Sequence, residues 1–275
     1  MTRTEEDALV EAAQGGDGEA LDALLRQYQP RVLRFGMKMC RDHEAAQDVL
    51  QETLLAAART LHGFRGSSSL STWLYTIARS FCIKSRRRSV FAPVVVSLER
   101  DASDARGAAD PAPDPERALA ARELGAALEA GIASLEPEYR EVLLLRDVEG
   151  LSAAEVAEVT GKSVAAVKSR LHRARLTVRE RIAPLLAPAN RPSSSGSGVC
   201  PDVVRLLSRH LEGQIDAGTC ADMERHVAAC SRCHAACDSL RQTLRLCGTT
   251  PSPEVPEALQ ESIRQGIRDV LAQRA

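Results

Sequence analysis

Apolar residues in this chain recur every three or four positions and nowhere sustain the alternation of a strand. Leu21, Leu24, Leu25 and Tyr28 keep an i, i+3, i+4, i+7 pattern, as do Val49, Leu50, Thr53, Leu54 and Ala57, and Leu128, Ile132 and Leu135 continue it. That period lays one apolar stripe along each helix and predicts an all-α protein. Of the 275 residues 44% are hydrophobic but only 3% aromatic, so the cores must be built mainly from Leu, Val and Ala. The longest apolar runs, 91–96 and 142–145, fall far short of the roughly 20 residues that cross a bilayer. The first residues are acidic rather than basic and then apolar, unlike a secretory signal. The expectation is a cytoplasmic chain with no membrane partner.

Two breaker-rich stretches divide the chain. Residues 93–118 carry Pro111, Pro113 and Pro115 among Ala and Asp, and residues 187–199 contain PANRPSSSGSG. Neither can bury enough apolar surface to order itself, so both are predicted linkers. Three domains follow: 1–92, 119–186 and 200–275. The formal net charge of -1, from 36 basic and 37 acidic residues, says nothing about where each charge sits.

The middle domain carries a sharp signature in LSAAEVAEVTGKSVAAVKSRLHRARLTVRERI, from Leu151. Ser152 and Glu155 form a capping box, Gly161 can take the positive φ of a tight turn, and Ser163 caps a second helix with Val164, Val167 and Leu171 on its buried face. Two short helices about a Gly turn form the unit that lays its second helix in the major groove of DNA. Between Lys162 and Arg181 seven basic residues face one acidic residue, Glu180, whereas a solvated helix normally mixes signs. Ser163, Ala165, Ala166, Lys168 and Ser169 are placed to meet base edges. Arg170, Arg173 and Arg175 are placed to hold phosphates, and His172 belongs to the same DNA-binding set.

In the N-terminal domain an acidic amphipathic helix, DHEAAQDVLQETLLAAA, precedes FRGSSSLSTWLYTIARSFCIKSRRRS. There Trp73, Arg79, Lys84, Arg86, Arg87 and Arg88 interleave ring and cation, as single-stranded nucleic acid requires; Trp73 and Phe81 taken singly are equally well read as core. Together the blocks from Ala20 to Leu186 resemble the extracytoplasmic function sigma factors of bacterial RNA polymerase. The resemblance implies two helical sigma domains on a flexible linker and no enzymatic activity of the chain's own. It implies that Asp48, Gln51 and Glu52 dock on the core polymerase, whose beta-prime and beta subunits are the expected partners. It further implies that the stretch 64–88 reads the minus-ten element of promoter DNA, with a base captured near the loop 66–71, and that the helix from Ser163 reads the minus-35 element. Ser80 departs from the Asn common in the family, which bears on minus-ten base preference. The linker acids Asp101, Asp104, Asp110 and Asp114, with Glu116, are either a mimic of nucleic-acid charge or a solvated spacer.

Six of the eight cysteines lie in the last domain. His226-x3-Cys230-x2-Cys233 would project from one helical face toward a divalent ion, with Cys200 or Cys220 as fourth ligand. Cys237 follows Cys233 by one turn, so the predicted metal set is Cys200, Cys220, His226, Cys230, Cys233 and Cys237. The spacing resembles the zinc-binding fold of anti-sigma factors. Its fusion to the sigma blocks resembles the metal-responsive CorE-like group, which implies a sigma factor controlled in cis with no separate anti-sigma factor. Zinc or cadmium is expected rather than copper, because the Cys-x-Cys pair of copper-responsive members is absent. A structural zinc module or a redox sensor stays open as an alternative. Cys40 and Cys82 read as buried hydrophobes. The apolar stripe of the tail (Leu259, Ile263, Ile267, Val270 and Leu271) can pack on either the sigma domains or the metal domain.

Overall fold

The computed structural model describes residues 3–91, 115–186 and 200–273, all of whose regular elements are helical. The N-terminal domain consists of α1 (Arg3–Gln14), α2 (Gly18–Cys40), α3 (His43–Thr60) and α4 (Leu70–Phe91). Asp17 and Asp42 cap α2 and α3 by accepting from backbone N–H groups of the first turn, and Arg41 ends α2 in the left-handed conformation. Leu24, Leu25, Leu50, Leu54, Leu74 and Tyr75 fill the space between these helices.

The middle domain runs α5 (Pro115–Ser134), α6 (Pro137–Leu143), α7 (Ala153–Thr160) and α8 (Val164–Leu186). Helix α5 therefore begins inside the stretch expected as linker. A π turn, Leu144–Val148, widens the end of α6 and delivers Glu149 to a buried position. The capping box of Ser152 and Glu155 forms with both hydrogen bonds, Gly161 takes φ 65° between α7 and α8, and the Ser163 hydroxyl accepts from the Ala166 N–H. The helix-turn-helix is thus built by the caps and turn read in the sequence, whereas Val164, expected on the buried face of α8, is 40% exposed.

The C-terminal domain divides in two. Helices α9 (Val203–His210), α10 (Ala217–Ala229) and α11 (Ser231–Gly248) enclose a small core of Val203, Leu207, Met223, Val227, Cys233, Cys237 and Leu240, against which Leu176 of α8 packs. Helix α12 (Glu257–Ala272) leaves that module: Ile263, Ile267 and Val270 join one continuous core with both preceding domains. The tail therefore packs on the N-terminal domain, chiefly against α3. No helix among the described residues is long and apolar enough to cross a membrane. The linker carboxylates Asp101, Asp104, Asp110 and Asp114 and the side chain of Arg88 lie outside the described residues.

Candidate metal centre and nucleic-acid interface

Cys200, His226, Cys230 and Cys233 place one ligand atom each within 4.8 Å of all the others. The Cys200 and Cys230 sulfurs are 3.9 Å apart and His226 Nε2 is 3.2 Å from the Cys233 sulfur. Tetrahedral zinc with bonds of about 2.3 Å to sulfur and about 2.0 Å to nitrogen requires ligand separations of roughly 3.5–3.8 Å. The donor set and its spacing therefore fit such an ion. The chain does not bring these ligands together on one helical face, as the spacing suggested. Cys230 breaks the helix with φ -123° and ψ 107°, so His226 closes α10 while Cys233 lies in the first turn of α11. The break turns α11 back toward the chain that emerges at Cys200.

Electrostatics at the cluster favours a cation. Burial and then the neighbouring Cys200 and Cys230 push the Cys233 thiol up to about 12, while the Cys233 backbone N–H holds Cys230 below its ordinary value. Adjacent thiolates cannot all ionise without a positive charge among them.

Two of the six predicted ligands stand apart. Cys237 is buried with its sulfur 3.9 Å from the Val203 carbonyl, because one further turn of α11 points it into the module's core. Cys220 instead approaches His210 Nδ1 at 3.4 Å and Glu224 Oε1 at 3.6 Å on the module's surface.

The basic face of α8 is shared between solvent and protein. Ser163, Ala165 and Ser169 are exposed and Ala166 is half-buried. Arg170 donates to Glu138 at 2.8 and 3.0 Å, and Arg173 to the Tyr139 hydroxyl at 3.2 Å. Lys168 reaches the Glu212 carbonyl in the module, and Arg179 donates to Ser239 of α11 at 2.6 Å. Arg175, read from sequence as a phosphate ligand, is only 2% exposed. Its guanidinium is fixed by Asp147 at 2.6 and 2.8 Å and by Glu212 at 2.9 Å. Helical period explains this: Arg175 falls on the Leu171–Val178 stripe, where it must be paired to be buried. His172 is half-buried against the module.

On α4, Trp73 is half-buried and tilts against Phe64 at 5.3 Å. Arg79 is paired with Glu141 of the middle domain. Arg86 is half-buried, and Lys84 and Arg87 are exposed, with the Lys84 ammonium 6.0 Å from the centre of the Phe81 ring. The loop leading into α4 is also covered: Glu155 Oε1 accepts from Ser69 at 2.8 Å and from Thr72 at 3.1 Å, while its other oxygen completes the capping box. On α3, Asp48 and Glu52 are exposed, and Gln51 donates to Ser262 of α12 at 3.1 Å.

Sequence reasoning missed the clasp that joins all three parts. Arg34 of α2 makes a forked pair with Glu149, Tyr75 donates to the same carboxylate at 2.6 Å, and Arg34 Nη1 reaches the Thr250 carbonyl at 2.7 Å. These partners are more than 70 residues apart, and no local spacing marks them.

Comparison with known proteins places each part. The family model for Sigma-70 region 2 matches residues 24–90, that for Sigma-70, region 4 matches 125–178, and a zinc-finger family model matches 200–234. The RNA polymerase sigma-H factor of Pseudomonas aeruginosa is 34% identical over 193 residues, 69% of this chain and 100% of that protein. The ECF RNA polymerase sigma-E factor of Escherichia coli is 31% identical over 185 residues, 66% of this chain and 96% of that one. Among solved structures, CnrH in complex with the cytosolic domain of CnrY aligns with TM-score 0.47 and 23% identity, over 64% of this chain and 96% of that one. The sigma factor RpoE in complex with the anti-sigma factor NepR from Bartonella quintana aligns with TM-score 0.45 and 24% identity, over 57% and 93%. The second of these was solved with a separate anti-sigma factor.

Proposed function

The chain belongs to the extracytoplasmic function sigma factors of RNA polymerase and directs transcription initiation, and from that premise we propose that its C-terminal segment holds it closed in cis under the control of a divalent metal. The observation that supports this reading is that one segment contacts both helices, α3 and α8, on which the polymerase and minus-35 residues are expected. Helix α12 lies on α3, beside Gln51, and the α9–α11 module engages Lys168, Arg175 and Arg179 of α8. In this reading Asp48, Gln51 and Glu52 meet the polymerase. Trp73, Arg79, Lys84, Arg86, Arg87 and Arg88 serve the minus-ten element, and Ser163, Ala165, Ala166, Lys168, Ser169, Arg170, His172 and Arg173 serve the minus-35 element. Arg175 acts by holding α8 to the module.

Cys200, His226, Cys230 and Cys233 would hold zinc or cadmium, whose charge offsets the thiolates. Tethering gives the covering segment an effective concentration on the order of mM, so a weak contact suffices for closure. A metal shifts that equilibrium only by binding the open and closed forms unequally. Run-off transcription with zinc, cadmium, copper and no metal tests it. Output that changes with zinc or cadmium is expected; equal output in every arm overturns metal control. The burial of Cys233 and Cys237 in the module core favours a second reading, a structural zinc module. Chelation would then unfold α9–α11, and added metal would never modulate output from the folded factor.

A further inference from the structure

Cys40 and Cys82 are separated by 42 positions in sequence, yet their sulfurs lie 3.6 Å apart where the last turn of α2 meets α4. They stand outside the metal cluster and outside the residues assigned above to polymerase and DNA. Their exposures differ in a chemically useful way: Cys82 is fully buried, whereas Cys40 is half-buried and open to a small reagent. We propose that Cys40 and Cys82 are a peroxide-oxidisable thiol pair that closes to a disulfide within the N-terminal sigma domain.

Cys40 is the attacking sulfur. The Cys82 thiol donates to it and, with the charge of the Arg86 guanidinium, outweighs its burial and the nearby Asp42, so its ionisation lies below the ordinary thiol range, while contact with Cys40 and burial raise Cys82. The Cys40 thiolate attacks one oxygen of a hydroperoxide ROOH, the O–O bond breaks, ROH leaves with a proton from solvent, and Cys40 becomes a sulfenic acid. The Cys82 sulfur then attacks the Cys40 sulfur and loses its proton, the S–O bond breaks, and water leaves. Two thiols are oxidised by two electrons and the peroxide is reduced. Bond formation needs the sulfurs to approach by about 1.5 Å, to roughly 2.0 Å, and so requires side-chain rotation with a small helix shift. The link would lie one turn from Arg79, which pairs with Glu141 across the domain boundary.

The test uses the full-length, zinc-loaded chain, reduced and then exposed to hydrogen peroxide, blocked by alkylation and mapped by peptide mass spectrometry. Trypsin should release Cys40 in residues 39–41 and Cys82 in residues 80–84. The expected result is a peptide linking these two, two hydrogens lighter than the pair, with loss of both alkylatable thiols. Cys40→Ser, at a half-exposed position, should abolish the linked peptide; Cys82→Ala should leave Cys40 as a sulfenic acid trapped by dimedone. Cys40 and Cys82 that both stay alkylatable while the C-terminal thiols oxidise would overturn the proposal. So would Cys40 linked only to a C-terminal cysteine.

Discussion

Arg34 and Glu149, 115 positions apart, form a forked ion pair with both contacts at 2.8 Å, their side chains 10% and 1% exposed. A guanidinium buried to this degree is tolerated only with its charge and donors satisfied. Glu149→Ala strands the Arg34 charge beneath Thr250 and should cost about 3–5 kcal/mol, whereas Arg34→Met combined with Glu149→Leu should cost far less. Urea unfolding of the full chain measures both. Equal losses would mean that packing volume, not charge, holds the clasp.

Gly266 sits where α12 crosses α3, and a Cβ there would stand 2.6 Å from Leu55 Cδ2. Leu55 can rotate aside for a methyl group, but a larger side chain must push α12 away. Overpacking of that kind costs about 1–3 kcal/mol. Gly266→Leu should therefore raise affinity for core polymerase by roughly five- to 150-fold, the same energy read as binding, and Gly266→Ala should change it little. Equal affinity for parent and Gly266→Leu would show that α12 does not gate α3.

Helix positions and the turn at Gly161 were legible because caps, stripes and positive-φ glycines act within a few residues. The four clustered residues Cys200, His226, Cys230 and Cys233 lay within a predicted set of six, and the geometry that gathers these four was not legible. The spacing leaves Cys237 one turn from Cys233 as a candidate ligand, and the packing of α11 on α9 sends it into the core instead. Arg175 shows the converse limit. Its place on an apolar stripe was readable, but its partners Asp147 and Glu212 come from the π turn and from the module. Long-range ion pairs leave no local period, so the packing of the three parts on one another was invisible in the sequence.

The separation of Cys220 and Cys237 from the four clustered ligands predicts distinct outcomes on removing each. Cys233→Ser should lose the tightly held ion. Cys237→Ala should keep it while costing about 1 kcal/mol for the small cavity left in the module core, and Cys220→Ser should also keep it. Zinc-to-protein ratios after gel filtration, with urea midpoints, check all three. Loss of the tight ion in Cys220→Ser would place Cys220 among its ligands.

His172 ties the pairing of α8 and the module to pH. Its Nδ1 is buried without a hydrogen-bond partner among the described residues. Burial, followed by the charge of Arg205, holds its ionisation below the ordinary value; Asp202 opposes this, and Arg175 and Arg209 add to it. A histidine with a depressed value takes up its proton later in the packed form than in the released one. The released form therefore binds more protons once pH falls through about 6.5, and stability of the packed form declines over that window and is intact above it. Urea midpoints of the parent should thus fall between pH 7.5 and 5.5, and His172→Gln should flatten part of that slope. An unchanged slope in His172→Gln would assign the whole pH dependence to other groups, the thiolate ligands first, since they too are displaced from metal by protons.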